Sequence, residues 1–489
     1  MKESNRLKNR VISGMVWKFL ERIIAQGIAF LISIILARIL MPEQYGTISL
    51  VLVFISIANV FVSSGLGESL IQKKDSDDVD FSTIFYCSLT IGLFLYGVLF
   101  LSAPLIADFY NDQSLTPVIR ILSLQIPFAS VKTIQHAYVS KHMMFRKFFY
   151  STLIGTIISG VIGILMAYNG FGVWSLVFQY LINSIIDMTV LFFTVKWRPT
   201  LNFSLTSAKR LFSYGIKLML AQLLNTTYNE ARNLVIGRVY SKEDLANNSK
   251  GTQFPSLIIE NVNTSISSVL FPTMSKVNDD MEALKKMTKT SIRVSCYIIF
   301  PMMIGMAAVA SPLVKLLLTE KWIGCVPFLQ MACIFWMFQP SLTANNQAIK
   351  AAGRSDICLK MEIVKKSFGF ILIVGTMFIN VYVLAFSNIV FAFFSMLVNM
   401  FPNKKIIKYG YLEQFKDMLP PLILSLVMGV AVFSVSFLDI SDILKLLIQV
   451  PLGVGIYIAG SILFRFDSFK ILLNYINSFF GKKEVLGNE

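Results

Sequence analysis

Apolar runs of membrane-spanning length recur along this chain, and the first of them is not purely apolar. Gly14 to Ser33 carries Lys18, Glu21, Arg22 and Gln26. At 100° per residue, these four share one helical face with Ala25, Ala29 and Ser33, and the other faces are Trp, Phe, Ile and Leu. A charge near the middle of a bilayer costs at least about 2.5–3.5 kcal/mol on insertion scales. Such a helix is tolerated if its polar stripe faces a protein-lined, wet interior, or if Lys18 and Arg22 snorkel to the near surface. Gln26 lies deeper, where snorkelling explains less.

The basic stretch Met1 to Arg10 followed by an apolar run resembles the opening of a signal peptide. The run is too long and too charged for that, and no small-x-small cleavage site follows, so an uncleaved first span is expected.

Only 15% of the 489 residues are charged and 55% are hydrophobic, with a mean hydropathy of +0.66. An average soluble chain carries about 25% charged residues. The expected class is therefore an all-α polytopic membrane protein. The five cysteines (Cys87, Cys296, Cys325, Cys333, Cys358) lie mostly in apolar runs and form no CxxC pair. With two histidines, His136 and His142, a multi-His metal site is not expected, and no cofactor is implied.

A span needs roughly 20 residues. Candidates are 13–36, 45–67, 82–105, 115–138, 148–168, 172–195, 211–238, 246–273, 289–311, 323–348, 358–379, 381–402, 418–437 and 443–464, fourteen in all. One alternate set of loops comprises the N-terminal tail, 73–74, 141–147, 196–210, 276–293, 350–366, 404–416 and the C-terminal tail. It holds 31 of the 44 basic residues. The opposite set holds seven: Arg38, Arg120, Arg238, Lys242, Lys315, Lys321 and Lys445. By the positive-inside rule both termini are cytoplasmic. The net charge of +16 is thus largely topogenic, and nucleic acid is not an expected partner. Trp174, Trp197, Trp322, Tyr45, Tyr110 and Tyr168 fall near span ends, as interface anchors do.

Spans 211–238 and 246–273 are polar enough to score poorly in a hydropathy window. An internal repeat argues for both. Shifted by 200 residues, Ser13, Leu20, Arg38 and Glu43 fall on Ser213, Leu220, Arg238 and Glu243. The stripe Arg22, Ala25, Gln26, Ala29, Ser33 overlies Gln222, Asn225, Thr226, Asn229, Asn233. Two parallel six-span repeats would form an N-lobe, 1–201, and a C-lobe, 202–403, with two further spans in 404–489.

Two motifs carry a resemblance. Ala37-Arg38-Ile39-Leu40-Met41-Pro42-Glu43-Gln44-Tyr45-Gly46 resembles the "AR-x-L-x-P-x-x-YG" junction after the first span of bacterial polysaccharide flippases. Gly65-Leu66-Gly67-Glu68-Ser69-Leu70-Ile71-Gln72 is similar to their "G-L-x-x-x-L-I-Q" near the second span. These are Wzx-type transporters of the multidrug/oligosaccharidyl-lipid/polysaccharide superfamily, and the resemblance is strongest to the colanic-acid and teichuronic-acid exporter branch. It implies two six-helix lobes in a V around a central cavity, two trailing helices and alternating access. It also implies a bacterial cytoplasmic-membrane transporter that moves undecaprenyl-pyrophosphate-linked oligosaccharide to the outer leaflet for surface polysaccharide synthesis. Its partners would be that substrate, membrane lipids and polysaccharide polymerase or export machinery. In related lipid II flippases the last two helices form a groove suited to the lipid tail. The family has no invariant catalytic constellation, so no catalytic residue carries over.

A pyrophosphate needs cations: Arg grips it bidentately and Lys supplies a point charge. The in-span cations are Lys18, Arg22, Lys132, Lys217, Arg232 and Lys250, with Arg22 and Arg232 the sharpest candidates. Each would otherwise be a structural ion pair or a snorkelling end group. Gln26, Gln222, Asn225, Asn229, Asn233, Gln253 and Asn261 would meet sugar hydroxyls, or else bond between helices. Glu21, Asp187, Glu230 and Glu260 are the carboxylates placed to couple transport to an ion, or to act as counterions. Around Pro340, Gln339, Asn345, Asn346 and Gln347 mark either a kinked, re-aimed helix or its cytoplasmic end. Asp75-Ser76-Asp77-Asp78 contains a DxD pattern, read here as a capping loop.

Other functions remain open at this point. A cation-coupled multidrug extruder of the same superfamily would favour carboxylates and aromatics in its interior. A glycan polymerase or ligase would need a sizeable outer loop with catalytic groups, whereas the loops here are short and free of histidine. The chain is therefore not expected to be an enzyme. A scaffold within a synthesis complex would tolerate loss of every in-span charge.

Overall fold

A segment in hydrocarbon has to satisfy its backbone within itself, which favours helices. The structure, a computed structural model, describes residues 17, 21–73, 75–275, 277 and 280–481. Among the described residues it contains helices and no strands. Nine helical segments among them are long and apolar enough to cross a membrane, so the protein is multi-pass.

Two compact units divide at Ala246 and Asn247. The first begins with a π-helical turn, Glu21–Ala25, leading into α1 (Gln26–Ile39). It continues through α2 (Pro42–Ser63), α3 (Leu66–Gln72), α4 (Asp78–Phe109), α5 (Leu115–Leu122), α6 (Gln125–Lys141), α7 (Arg146–Tyr168) and α8 (Val173–Thr194) to α9 (Leu205–Val239). Helix α10 (Lys242–Ser275) carries the chain into the second unit. There follow α11 (Met281–Ala308), α12 (Ala310–Leu318), α13 (Val326–Met337), α14 (Gln339–Ala351), α15 (Ser355–Thr376), α16 (Val381–Ile406), α17 (Tyr411–Ser434), α18 (Asp442–Leu463) and α19 (Asp467–Gly481).

The weak spans are unbroken helices. Helices α9 and α10 run for 35 and 34 residues, about 50 Å each. Neither is among the apolar spans, in keeping with its polar sequence. Two other expected spans are broken. The fourth divides at Ser123–Leu124 because Pro127 has no N–H for the Ser123 carbonyl, which instead accepts a tighter bond from Ile126 N (3.0 Å). The tenth divides at Phe338, with Pro340 in the first turn of α14.

The 200-residue repeat appears in the geometry of its junctions. Helix α1 ends at Ile39 and α2 starts at Pro42, while α9 ends at Val239 and α10 starts at Lys242. Leu40 and Tyr240 are both extended, and Arg38 and Arg238 both close the preceding helix.

Glycines set the close helix approaches. A Cβ on Gly160 of α7 would lie 2.1 Å from Ile32 of α1. Trp17 extends that seam, with its ring centroid 5.4 Å from that of Phe149. Further along, Gly251 of α10 packs on the backbone of Cys325 and Leu329, 2.8 and 2.7 Å from where its Cβ would lie. In the second unit, α11 packs along α17, and Tyr297, Leu424, Met428, Val432 and Tyr457 form one cluster.

Several aromatics expected at lipid interfaces are instead buried. Trp197 is 5% exposed and packs against Phe81, Phe85 and Tyr138, and Trp322 is fully buried. Tyr168, 72% exposed, keeps the interfacial reading. Position near a span end fixes depth in the membrane but not which face of the helix meets lipid.

Candidate functional site

Polar side chains exposed in the middle of a membrane helix need water or protein around them, because lipid solvates none of them. Helix α9, expected from the sequence to be a span, presents a polar face. Lys217, Gln222 and Asn229 are exposed, and Asn225 and Asn233 are partly so. Gln222 Nε2 donates to Thr226 Oγ1 (3.4 Å) and Asn233 Nδ2 to Glu230 Oε2 (2.9 Å). Glu230 Oε1 also accepts from Ser56 Oγ of α2 (3.4 Å). Arg232 lies half-buried on the same helix. The π-helical turn preceding α1 contains Arg22, and Gln26, exposed, opens α1 itself. The side chains of Glu21 and Arg22, and the whole of Lys18, lie outside the described residues.

Helix α9 is fastened near both its ends to earlier elements. Near its start, Gly65 and Gly215 meet backbone to backbone, so that a Cβ on Gly65 would lie 2.1 Å from the Gly215 carbonyl oxygen. Gly65 has φ +85°, in a region that suits glycine alone. Beside it, Arg210 approaches the buried Asp80 at 3.8 Å, and Asp80 is also paired with Lys73. The backbone N–H groups of Thr200 and Ser204 donate to Ser82 (3.0 Å) and Thr83 (3.1 Å). Near the far end of α9, Tyr110 donates to the Leu234 carbonyl (3.5 Å) and Arg238 covers the Phe109 ring at 5.0 Å. Lys242, just beyond, pairs with Asp112. Burial pushes the Asp112 carboxyl up, but the hydrogen bonds from Lys242 and Ser114 outweigh it and hold the group below its ordinary value, ionised at neutral pH.

Other candidates separate from this helix. Lys132 Nζ on α6 donates to Asp187 Oδ2 on α8 at 2.8 Å, and Asp187 is 9% exposed. That is the arrangement of a structural ion pair. Breaking a buried pair costs about 3–5 kcal/mol. Exchanging the two (Lys132→Asp with Asp187→Lys) is therefore expected to restore the protein abundance that Asp187→Ala lowers. Membrane immunoblots check this, and failure of the exchange would mean that the charge pair is not what Asp187 contributes to stability. In the second unit Lys250 is buried, donates to Gln253 (3.2 Å) and has its ammonium 6.0 Å from the Trp322 ring centre. Asn261 donates to the Leu257 carbonyl of its own helix (2.7 Å), and Glu260 is exposed.

The DxD loop caps a helix. Asp77 is the N-cap of α4, accepting from Asp80 N at 2.8 Å while Asp80 Oδ2 accepts from Asp77 N at 3.2 Å. Asn345 lies in the middle of α14 in a buried network, donating to Gln414 (2.8 Å) and accepting from Asn403 (2.7 Å), and the break at Phe338 beside Pro340 fits the kinked, re-aimed helix.

Two features escaped the sequence reading. One is a ladder between α11 and α17: Lys285 and Lys289 hold Glu413 at 2.8 and 3.0 Å, and Arg293 holds Asp417 at 2.6 Å. Its signal in the sequence is basic residues four apart and acidic residues four apart, and the same basic residues also fit a positive-inside loop. The other is an apolar groove of about 450 Å³ between α11, α12, α17 and α18, lined by Met302, Met306, Leu313, Val432, Val450 and Val454 among others.

The comparisons with known proteins agree with this architecture. The chain is 27% identical over 368 residues to the Lipopolysaccharide biosynthesis protein WzxC of Escherichia coli (strain K12), covering 73% of each chain. It is 26% identical over 324 residues to the Succinoglycan biosynthesis transport protein ExoT of Rhizobium meliloti (strain 1021), covering 66% of each. Its fold is that of the lipid II flippase MurJ in an inward closed conformation, with TM-score 0.76 at 16% identity, over 93% of this chain and 99% of that one. Residues 35–327, more than half of the chain, match the family described as polysaccharide biosynthesis protein, and the chain belongs to that family.

Proposed function

We propose that the protein is a flippase that carries an undecaprenyl-pyrophosphate-linked oligosaccharide from the cytoplasmic to the outer leaflet of the bacterial inner membrane by alternating access. The observation that carries this reading is α9, which exposes a polar face along its length and is fastened near its start to Gly65 and α4 and near its far end to the turn after α4. A transporter of this kind needs two closures that release in turn. The Gly65–Gly215 contact with the Asp80–Arg210 approach would be the cytoplasmic one. The Asp112–Lys242 pair with Tyr110 would be the outer one. In this scheme the N-lobe spans 1–201, the C-lobe 202–403, and both termini are cytoplasmic.

Within that path, Arg22 and Arg232 would meet the pyrophosphate, with Lys217 at its edge, while Gln26, Gln222, Asn225, Asn229 and Asn233 would meet the glycan. Glu230, held by Asn233 and Ser56, is the carboxylate best placed to respond to a coupling ion. Lys132 and Asp187 serve each other, and Lys250 braces α10 against the turn at Trp322. The apolar groove on α17 and α18 would take the prenyl tail. Transport rather than enzymology also accords with the name of ExoT, a transport protein.

Charge reversal at Arg22 is expected to abolish glycan export with protein abundance unchanged, and cells lacking the gene should trap complete lipid-linked repeat units on the cytoplasmic leaflet. Wild-type export from Arg22→Glu would remove Arg22 from the site. Single repeat units displayed outside the deletion strain would replace the flippase reading with a polymerase.

A further inference from the structure

Between the middle of α11, the first turns of α17 and the end of α18 a second hollow, about 300 Å³, lies beside the apolar groove. Tyr297 lines the hollow and Tyr457 lines the groove, and the Tyr457 hydroxyl donates to the Tyr297 carbonyl at 2.8 Å. The hollow's lining is polar and basic. Arg293, Lys416 and Arg465 face Asp417 and Asp467, three cations against two carboxylates. Arg293 is committed to Asp417 at 2.6 Å and reaches Asp467 at 3.9 Å. The side chains of Lys416 and Arg465 are exposed and form no ion pair among the described residues.

Arg465 occupies an unusual place. It follows α18 at φ +52°, where the helix is closed by Phe466 N to the Ser461 carbonyl (3.1 Å) and Arg465 N to the Ile462 carbonyl (3.2 Å). Glycine is the usual residue at that position. The first turn of α19 adds Asp467 and Ser468 to the lining, and the first amides of a helix have no partner inside it. Beside the hollow, Ile458, Ile462, Leu463 and Phe464 of α18 and its end are 43 to 76% exposed, a face for lipid chains.

We propose that this hollow holds the phosphate of an anionic glycerophospholipid from the surrounding leaflet, with its acyl chains along that exposed face of α18. The argument is charge complementarity at headgroup depth. Basic pockets between membrane helices bind anionic headgroups, and a phosphodiester matches the single excess positive charge of the lining. The site is separate from the path on α9 and does not depend on the substrate assigned to it.

The test is native mass spectrometry of the purified full-length protein titrated with phosphatidylglycerol or phosphatidylcholine. Wild type is expected to retain phosphatidylglycerol with a preference of about tenfold or more, and the Lys416→Gln, Arg465→Gly double variant to lose that preference. Arg465→Gly alone removes one cation while placing at φ +52° the residue that favours it, so it should weaken the preference without lowering the melting temperature. That single variant decides the matter if the double variant fails to fold. Equal retention of both lipids by wild type, or an unchanged preference in Arg465→Gly, overturns the proposal. So does displacement of phosphatidylglycerol by equimolar undecaprenyl phosphate or by inorganic phosphate, which would assign the hollow to the substrate lipid or to a free anion.

Discussion

Valine in place of Gly65 is expected to stop glycan export. Two costs fall on the same atom. A side chain at φ +85° is strained by about 1–3 kcal/mol. Its Cβ would also sit 2.1 Å from the Gly215 carbonyl oxygen, more than 1 Å inside ordinary contact. The obstacle is backbone on a 35-residue helix, not the tip of a flexible side chain, so the contact itself has to open. Strain of that size alone shifts a two-state balance by about 5- to 150-fold. A transporter that closes here once per cycle would then rest open on this side. Spin labels at Ser64 and Tyr214 should move apart relative to wild type, and lipid-linked intermediates should accumulate while membrane levels of the protein hold. Gly215→Ala tests the same contact from α9, where the Cβ would meet the Gly65 carbonyl at 2.9 Å, and its effect should be smaller. Normal export from Gly65→Val would show that this contact is not a closure.

The sequence already contained much of this helix. Its polar stripe, its place 200 residues after the first span and the arginine at its end were all readable, and the junctions at Leu40 and Tyr240 repeat as expected. What could not be read was which surroundings each polar face would meet. Periodicity assigns Lys132, Lys217 and Lys250 to helices, yet one is paired at 2.8 Å, one is exposed and one is buried near Trp322. That outcome depends on neighbours 55 or more residues away, and local pattern carries no information about them. The glycine contact was hidden for a related reason. Gly65 stands within a motif in the sequence, but its role as one half of a close backbone approach exists only once Gly215 is beside it. Loop charges misled in the other direction. Loops that the positive-inside count places in one set meet in space, with Lys141 donating to the Lys73 carbonyl at 2.8 Å and Lys289 to Glu413 at 3.0 Å. By treating every basic loop residue as an address, it concealed those that also pair or line a pocket.

The ladder between α11 and α17 separates these roles. Asp417 has only 3% of its side chain exposed and accepts from Tyr409 (2.6 Å) and from Arg293 Nε (2.8 Å), with Lys289 at 3.6 Å. Glu413, one turn away, is 36% exposed and held by two lysines. Removing the acid from a buried pair leaves the base uncompensated at about 3–5 kcal/mol, whereas an exposed pair is worth about 0–1 kcal/mol. Asp417→Ala should therefore lower the melting temperature of the purified protein severely, and Glu413→Ala should barely change it. Equal effects, or the reverse order, would mean that the burial of Asp417 does not set the strength of the pairing between α11 and α17. The same variant bears on the lipid pocket in the opposite sense. Loss of Asp417 frees Arg293 and raises the positive charge of the hollow, so any Asp417→Ala protein that remains folded should retain phosphatidylglycerol at least as well as wild type. Stability and lipid retention thus move in opposite directions at Asp417, whereas a defect of folding alone would lower both.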